Sequence, residues 1–282
     1  MTEFTNKAVK SRGAAWLAAL APQGRTISGT VPSVRVVDAD FCGEPARFIA
    51  VVPDPQNHYP RARTGEVGLL EGWTLGRVLL ETIEEDAGKS VKRPIIAVID
   101  VTSQAYGRRE EAFGIHQALA SAAAGYANAR LHGHPVVGFI VAKAMSGAFL
   151  AHGYQANALI ALNDPQVLIH AMGKAAAARI TLRTVDELDR FAQTVPPMAY
   201  DIRHYATLGL LDKLLDVENP DEPTSHDLDA ARDAIAEGIR KGRRQFAENG
   251  AQTLDRFGAP NRAASQRVRE LMRTQWRPDL RR

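Results

Sequence analysis

Two short stretches of the chain combine residue types that can hold a developing negative charge. Ser103-Gln104-Ala105-Tyr106-Gly107 and Met145-Ser146-Gly147-Ala148 each follow an apolar run and precede a helical pattern. The first N–H groups of a helix have no partner inside it and sit at the positive end of its dipole. Such a terminus is a ready anion site, and glycine lets a ligand approach the backbone closely. Two such turns in consecutive strand–helix units could hold an enolate or a carboxylate, although every α/β sheet also has turns of this kind as plain connections. The candidate donors are the N–H groups of Tyr106, Gly107, Gly147 and Ala148. If they act through the backbone, the side chain of Ser146 is dispensable. A bulky residue at Gly147 would then block close approach and conflict with the backbone angles expected there.

Other chemistry is thinly represented. His116, His132, His134, His152, His170 and His204 lack the spacing of a metal site. Ser146 stands in Ala144-Met145-Ser146-Gly147-Ala148, which is not the Gly-x-Ser-x-Gly of a nucleophile elbow. There is no phosphate-binding Walker loop and no Gly-x-Gly-x-x-Gly. Glu110 and Glu111 sit at a helix start, where the dipole accounts for them. Tyr106 and His152 are the side chains nearest the turns that could deliver a proton.

The elements that must position these turns follow from hydrophobic periodicity. Runs at 47–52, 95–101 and 136–142 are apolar on both faces, the pattern of strands in a covered, largely parallel sheet. Short strands are expected at 158–162 and 167–170. Helices are expected at 66–86, 110–131, 149–155, 173–180, 186–194, 198–207 and 225–249. Gly65, Gly68, Gly72 and Gly76 read as a close-packing stripe on the first of these. Thr184 and Glu187 have capping-box spacing. The segment from Gly13 to Ala21 reads as an amphipathic helix packed on the body. The chain is read as one α/β unit over 1–282, with a core at about 40–215 and a helical region at about 216–282.

Composition bounds the class. The chain has 282 residues, 45% of them hydrophobic and 24% charged, as in ordinary globular proteins. The single cysteine, Cys42, excludes an intrachain disulfide and a multi-cysteine metal site, and reads as a small core or loop residue. No apolar run is long enough to span a membrane. One cysteine and no targeting signal point to the cytoplasm. The segment from Arg240 to Arg282 has twelve Lys/Arg against four Asp/Glu, a balance of +8 in a chain of net charge +3. Its aromatics, Phe246, Phe257 and Trp276, are too few for base stacking and no nucleic-acid motif is present, so an acidic protein partner is the better expectation.

The stretch from Ile99 to Gly107, then Glu110-Glu111, then Val136 to Gly153 resembles the carboxyltransferase branch of the crotonase superfamily. That family's turns read Asp-Thr-Pro-Gly-Ala-Tyr-Pro-Gly and Gly-Ser-Gly-Gly-Ala-Leu-Ala-Ile-Gly. Here the first keeps Ala105-Tyr106 but has Ser103-Gln104 for Pro-Gly, and the second has Ala148 for a glycine. Over about residues 10–250 the chain is most similar to the gamma subunits of biotin-independent malonate decarboxylases. The match is carried by Gly138 to Phe149, Ile169 to Ile180, Met198-Ala199-Tyr200-Asp201 and Gly209-Leu210-Leu211-Asp212.

The resemblance implies a crotonase-like spiral of ββα units with C-terminal helices. It also implies an obligate beta-subunit partner of the same fold, and decarboxylation of a malonyl thioester on an acyl carrier protein to an acetyl thioester and carbon dioxide. An alpha subunit would complete the assembly. The carrier would bring a prosthetic group derived from dephospho-coenzyme A, and neither a biotin nor a cofactor bound by this chain is expected. The candidate site is a backbone oxyanion hole at Tyr106, Gly107, Gly147 and Ala148, and no side chain is a clear proton donor by sequence, Tyr106 and His152 being the first to consider. Two alternatives stand beside it: a non-catalytic subunit that completes the beta subunit's site and docks the carrier, or a carboxyltransferase subunit of a biotin-dependent carboxylase.

Overall fold

A computed structural model describes residues 11–249 and 259–276. The chain opens with helix α1 (Arg12–Leu20), strands β1 (Arg25–Thr26), β2 (Val34–Phe41) and β3 (Glu44–Val51), and helix α2 (Leu69–Glu85). Strand β4 (Ile95–Val101), helices α3 (Arg108–Ala112) and α4 (Ile115–Leu131), strand β5 (Val136–Met145), helix α5 (Ser146–Ala151) and strands β6 (Ala158–Leu162) and β7 (Leu168–His170) follow. Helices α6 (Lys174–Ile180), α7 (Val185–Ala192) and α8 (Ile202–Ala206), strand β8 (Lys213–Leu215), and helices α9 (Ser225–Asn249) and α10 (Ala263–Gln275) complete it.

The strands form one sheet in the order β1-β2-β3-β4-β5-β6-β8, with β7 on the distal part of β5. The β2–β3 hairpin is antiparallel and turns at Cys42-Gly43, both at positive φ. From β3 through β6 and β8 the neighbours are parallel. All of β4 except Asp100 is buried, as is all of β5 except Lys143, which is why these strands are apolar on both faces. Helix α1 lies across β3, β4 and β5, and α9 across β5 and β6.

Local signals explain several element ends. Ser11 caps α1 by accepting from the Ala14 N–H. Trp16, fully buried, donates from its indole to the Pro220 carbonyl at 2.9 Å and ties α1 to the chain before α9. Thr184 and Glu187 form the expected reciprocal cap of α7. Helix α2 presents Gly72 and Gly76 to Ala118 and Ser121 of α4, the close packing read from the glycine spacing, although Gly65 and Gly68 precede the helix.

Four expectations need correction. The helix at 110–131 is two helices, because Gly114 adopts φ +81 and ends α3 before α4 begins. The helix expected from 66 starts at Leu69, since Val67 pairs with Gln104 in an isolated parallel bridge. Strand β5 runs on to Met145 and passes straight into α5, leaving no loop between them and ending the helix at 151 rather than 155. Residues 213–215, beyond the last expected strand, form β8 against β6. Cys42 is exposed at the hairpin turn.

The basic C-terminal segment is partly neutralised within the chain. Arg243 pairs with Glu44, Lys241 with Asp212, Arg240 and Arg244 with Glu237, and Arg273 with Glu270. Residues 250–258 and 277–282, which carry Arg256, Arg277, Arg281 and Arg282 of that segment, lie outside the described residues.

Candidate functional site

The two turns are adjacent because of a register slip between the central strands. Ile99 pairs with Ile140, but Val101 pairs with Ala144, so two residues of β4 span four of β5. The end of β5 is thereby drawn level with the segment after β4. Gln104 links them. Its side-chain Oε1 accepts the Gly147 N–H at 2.9 Å. Its own carbonyl accepts the Tyr106 N–H at 2.8 Å and the Ser103 hydroxyl at 2.9 Å. The bridge to Val67, with the Val67 N–H on the Ser103 carbonyl and the Ala105 N–H on the Val67 carbonyl, fixes the backbone of Gln104 from the other side.

This changes the set of free donors. The N–H groups of Gly147 and Tyr106 are both taken by Gln104, so neither is open to a ligand in this conformation. The Gly107 N–H has no acceptor among the described residues, but Gly107 is buried. A Cβ there would sit 2.3 Å from Glu110 Oε2 and 2.6 Å from Arg61 Nε. A side chain there would have to push these two side chains aside, and Glu110 folds back over the start of α3, where a carboxylate suits the dipole. Ala148, in the first turn of α5, is fully buried. The Tyr106 side chain is 62% exposed and points no ring into the core.

The backbone strain lies one residue before the expected place. Ser146 has φ +57, whereas Gly147 is outside the left-handed region. A Cβ on Gly147 would meet Gln104 Oε1 at 3.4 Å, Gln104 Cδ at 3.5 Å and Leu119 Cδ1 at 3.6 Å, which is ordinary contact. A methyl group therefore fits at Gly147. What a larger residue would displace is the Gln104 amide.

His152 is not a proton donor to a substrate. It is completely buried, with Nδ1 at 2.9 Å from the Tyr126 hydroxyl and Nε2 at 3.1 Å from the Val98 carbonyl. A carbonyl can only accept, so Nε2 carries the proton and Nδ1 accepts from Tyr126. Burial pushes the imidazole down to about 4 and the Tyr126 phenol upward. The ring is a core brace joining α4, β4 and the end of α5. Sequence spacing placed it near the turn but carried no signal of its enclosure.

A cavity of about 630 Å3 opens beside the ends of β4 and β5, lined in part by Arg12, Asp100, Thr102, Lys143 and Asp221. It includes none of the four candidate donors. Asp100 accepts from the Ser11 hydroxyl and the Gly13 N–H, and Arg12 is held by Asp164 at 2.6 Å and Asp221 at 2.7 Å. Gln104 is the site residue that reading the turns as backbone donors overlooked. The signal available was that it replaces a glycine of the resembling family.

The sheet, its two abutting βα turns and the crossing helices define a subunit of the crotonase fold. A chain of the transcarboxylase 12S hexamer shares that fold, with a TM-score of 0.59 at 18% identity over 83% of this chain and 40% of that one. The malonate decarboxylase gamma subunit profile matches residues 62–276, and the chain belongs to that family. A Pseudomonas malonate decarboxylase hetero-tetramer in complex with coenzyme A contains a chain 57% identical to this one. It superposes with a TM-score of 0.88, covering 94% of this chain and 100% of that chain. The malonyl-S-ACP:biotin-protein carboxyltransferase MADD of Malonomonas rubra is 32% identical over 161 residues, 56% of this chain and 55% of the relative. The chain thus spans about half the length of that curated relative. Among the described residues no helix is long and apolar enough to cross a membrane.

Proposed function

We propose that this chain acts as the gamma subunit of a malonate decarboxylase. In this reading it pairs with a beta subunit of the same fold. The pair removes carbon dioxide from a malonyl thioester on an acyl carrier protein, whose prosthetic group derives from dephospho-coenzyme A, and an alpha subunit loads the carrier. The observation that carries the reading is the full-length likeness to a chain of the Pseudomonas enzyme. The coenzyme A in that complex and the malonyl-ACP substrate of the Malonomonas relative agree with a thioester carried on a pantetheine arm.

Loss of carbon dioxide leaves an enolate, and one preorganised donor on its oxygen is worth about 3–4 kcal/mol. The bond between the Gly147 N–H and Gln104 favours a division of labour: this chain completes the site, and its partner holds the enolate. Gly107 and Ala148 are the positions through which this chain would still contribute backbone charge. The test is reconstitution. The isolated chain is expected to show no decarboxylation, and activity to return on adding the beta subunit. In the assembled complex Ser146→Ala should retain most turnover. Gly147→Val should lose it only by displacing Gln104. A monomer that decarboxylates malonyl thioester alone refutes the division of labour.

A further inference from the structure

The acceptor on Gly147 is the most unusual feature of the two turns. A backbone N–H at the start of a helix has no partner inside it and takes one from a side chain, water or a ligand. Here it faces a carbonyl supplied by the same chain, from a residue 43 positions earlier. The Gln104 amide and Leu119 lie at ordinary contact distance from a side chain's first carbon at Gly147, so a group larger than a methyl on that side meets Gln104. The backbone of Gln104 is itself pinned by the Val67 bridge, so its side chain starts from a fixed base.

We propose that Gln104 is a specificity-determining residue that excludes a cyclic-urea acceptor such as biotin from this subunit. The inference rests on the functional reading above and deepens it. A urea carbonyl and the Gln104 amide carbonyl have the same hydrogen-bonding chemistry and compete for one donor. The internal group is tethered and loses no translational freedom on binding, whereas the external one does. Biotin therefore does not fit the site as these residues build it. In decarboxylation the bond between C2 and the malonyl carboxylate breaks, carbon dioxide leaves, and C2 takes a proton. With a urea seated beside the thioester, the carboxyl carbon would instead bond to a ureido nitrogen, and that nitrogen's proton would pass to C2. Filling the Gly147 donor keeps the second outcome out. The relative named as a biotin-protein carboxyltransferase shows that the question is a real one within this group of chains.

The test uses the assembled beta–gamma complex with Gln104→Gly, which removes the amide, and Gln104→Glu, which keeps an acceptor oxygen. The probes are 2-imidazolidone and biotin methyl ester, followed by saturation-transfer NMR. The unsubstituted and Gln104→Glu complexes are expected to give no transfer to either probe. Gln104→Gly should bind both, at least tenfold more tightly than the unsubstituted complex. Equal binding by all three, or none by Gln104→Gly, overturns the proposal. If Gln104→Gly does not assemble, hydrogen exchange at the Gly147 amide of the unsubstituted complex decides. The amide should be protected without probe and unchanged by 2-imidazolidone, and slowing of exchange by the probe means the donor was open. Malonyl-thioester turnover is recorded separately: an unsubstituted complex that fails to decarboxylate refutes the functional reading, while the binding results still judge Gln104.

Discussion

Replacing His152 should change how stability depends on pH. The imidazole is neutral when folded and titrates at about 4, against an ordinary value of 6.5. Between these values the unfolded chain takes up a proton that the folded chain refuses. Stability is therefore unaffected above pH 6.5 and falls as pH drops from 6.5 towards 4. The full interval is worth about 3 kcal/mol, at about 1.4 kcal/mol per pH unit, and the part between pH 8 and pH 5 about 2 kcal/mol. His152→Leu removes the titration and strands the Tyr126 hydroxyl, an unmade buried bond costing about 1–3 kcal/mol. At pH 8 the parent should be the more stable by that amount. At pH 5 its advantage should shrink by about 2 kcal/mol, or about 4 °C in melting temperature for a chain of this size. The assay is thermal unfolding of the assembled complex at both pH values, with Tyr126→Phe as a second arm that strands Nδ1 instead. If parent and His152→Leu lose stability equally between pH 8 and pH 5, the buried neutral imidazole is refuted.

Asp86, fully buried, receives the Arg93 guanidinium, the Arg93 N–H and the Lys89 ammonium, which hold its carboxyl far below the usual range against the cost of burial. Asp86→Ala should cost about 3–5 kcal/mol. Because the folded carboxyl titrates so low, the loss should be constant from pH 8 to pH 5 and fade only below about 4, as melting curves would show. Arg12→Met leaves Asp164 facing a methionine and should cost about 2 kcal/mol, with faster proteolysis ahead of β1 as the check. Ser146→Gly relieves the positive φ and should raise stability by about 1 kcal/mol, measured by melting.

What the sequence revealed tracks how local the cause is. Strands β4 and β5 were legible because burial on both faces writes an unbroken apolar run, and α9 because its periodicity and flanking prolines are self-contained. The cap at Thr184 needs only four residues. The division at Gly114 was missed because an Ala-rich pattern continues through it, and its φ is set by the junction of α3 with α4. Strand β8 was missed because Lys213-Leu214-Leu215 become a strand only against β6, fifty residues earlier in the chain. The turns were placed correctly, but the partners of their N–H groups were not legible. The state of the Gly147 N–H depends on a side chain in another βα unit, and the surroundings of His152 on α4 and β4. Spacing along the chain reports neither.

The order of strands in the sheet nearly repeats the order of strands in the chain. Such a sheet can be laid down one strand at a time, each new parallel strand docking on the edge its predecessor left open. Growth is one-sided: β1, two residues long, terminates the hairpin edge early, while the opposite edge stays open until late. Strand β6, all of whose residues are buried in the finished fold, is the last long apolar edge. On its outer side β8 borders it, and α9 packs against it. An incomplete chain ending before residue 213 therefore carries an unpaired apolar edge of the kind that recruits other chains. Residues 213–215, just ahead of the helical region, thus close the sheet and α9 covers it, so early termination is a route to aggregation rather than to a smaller working subunit.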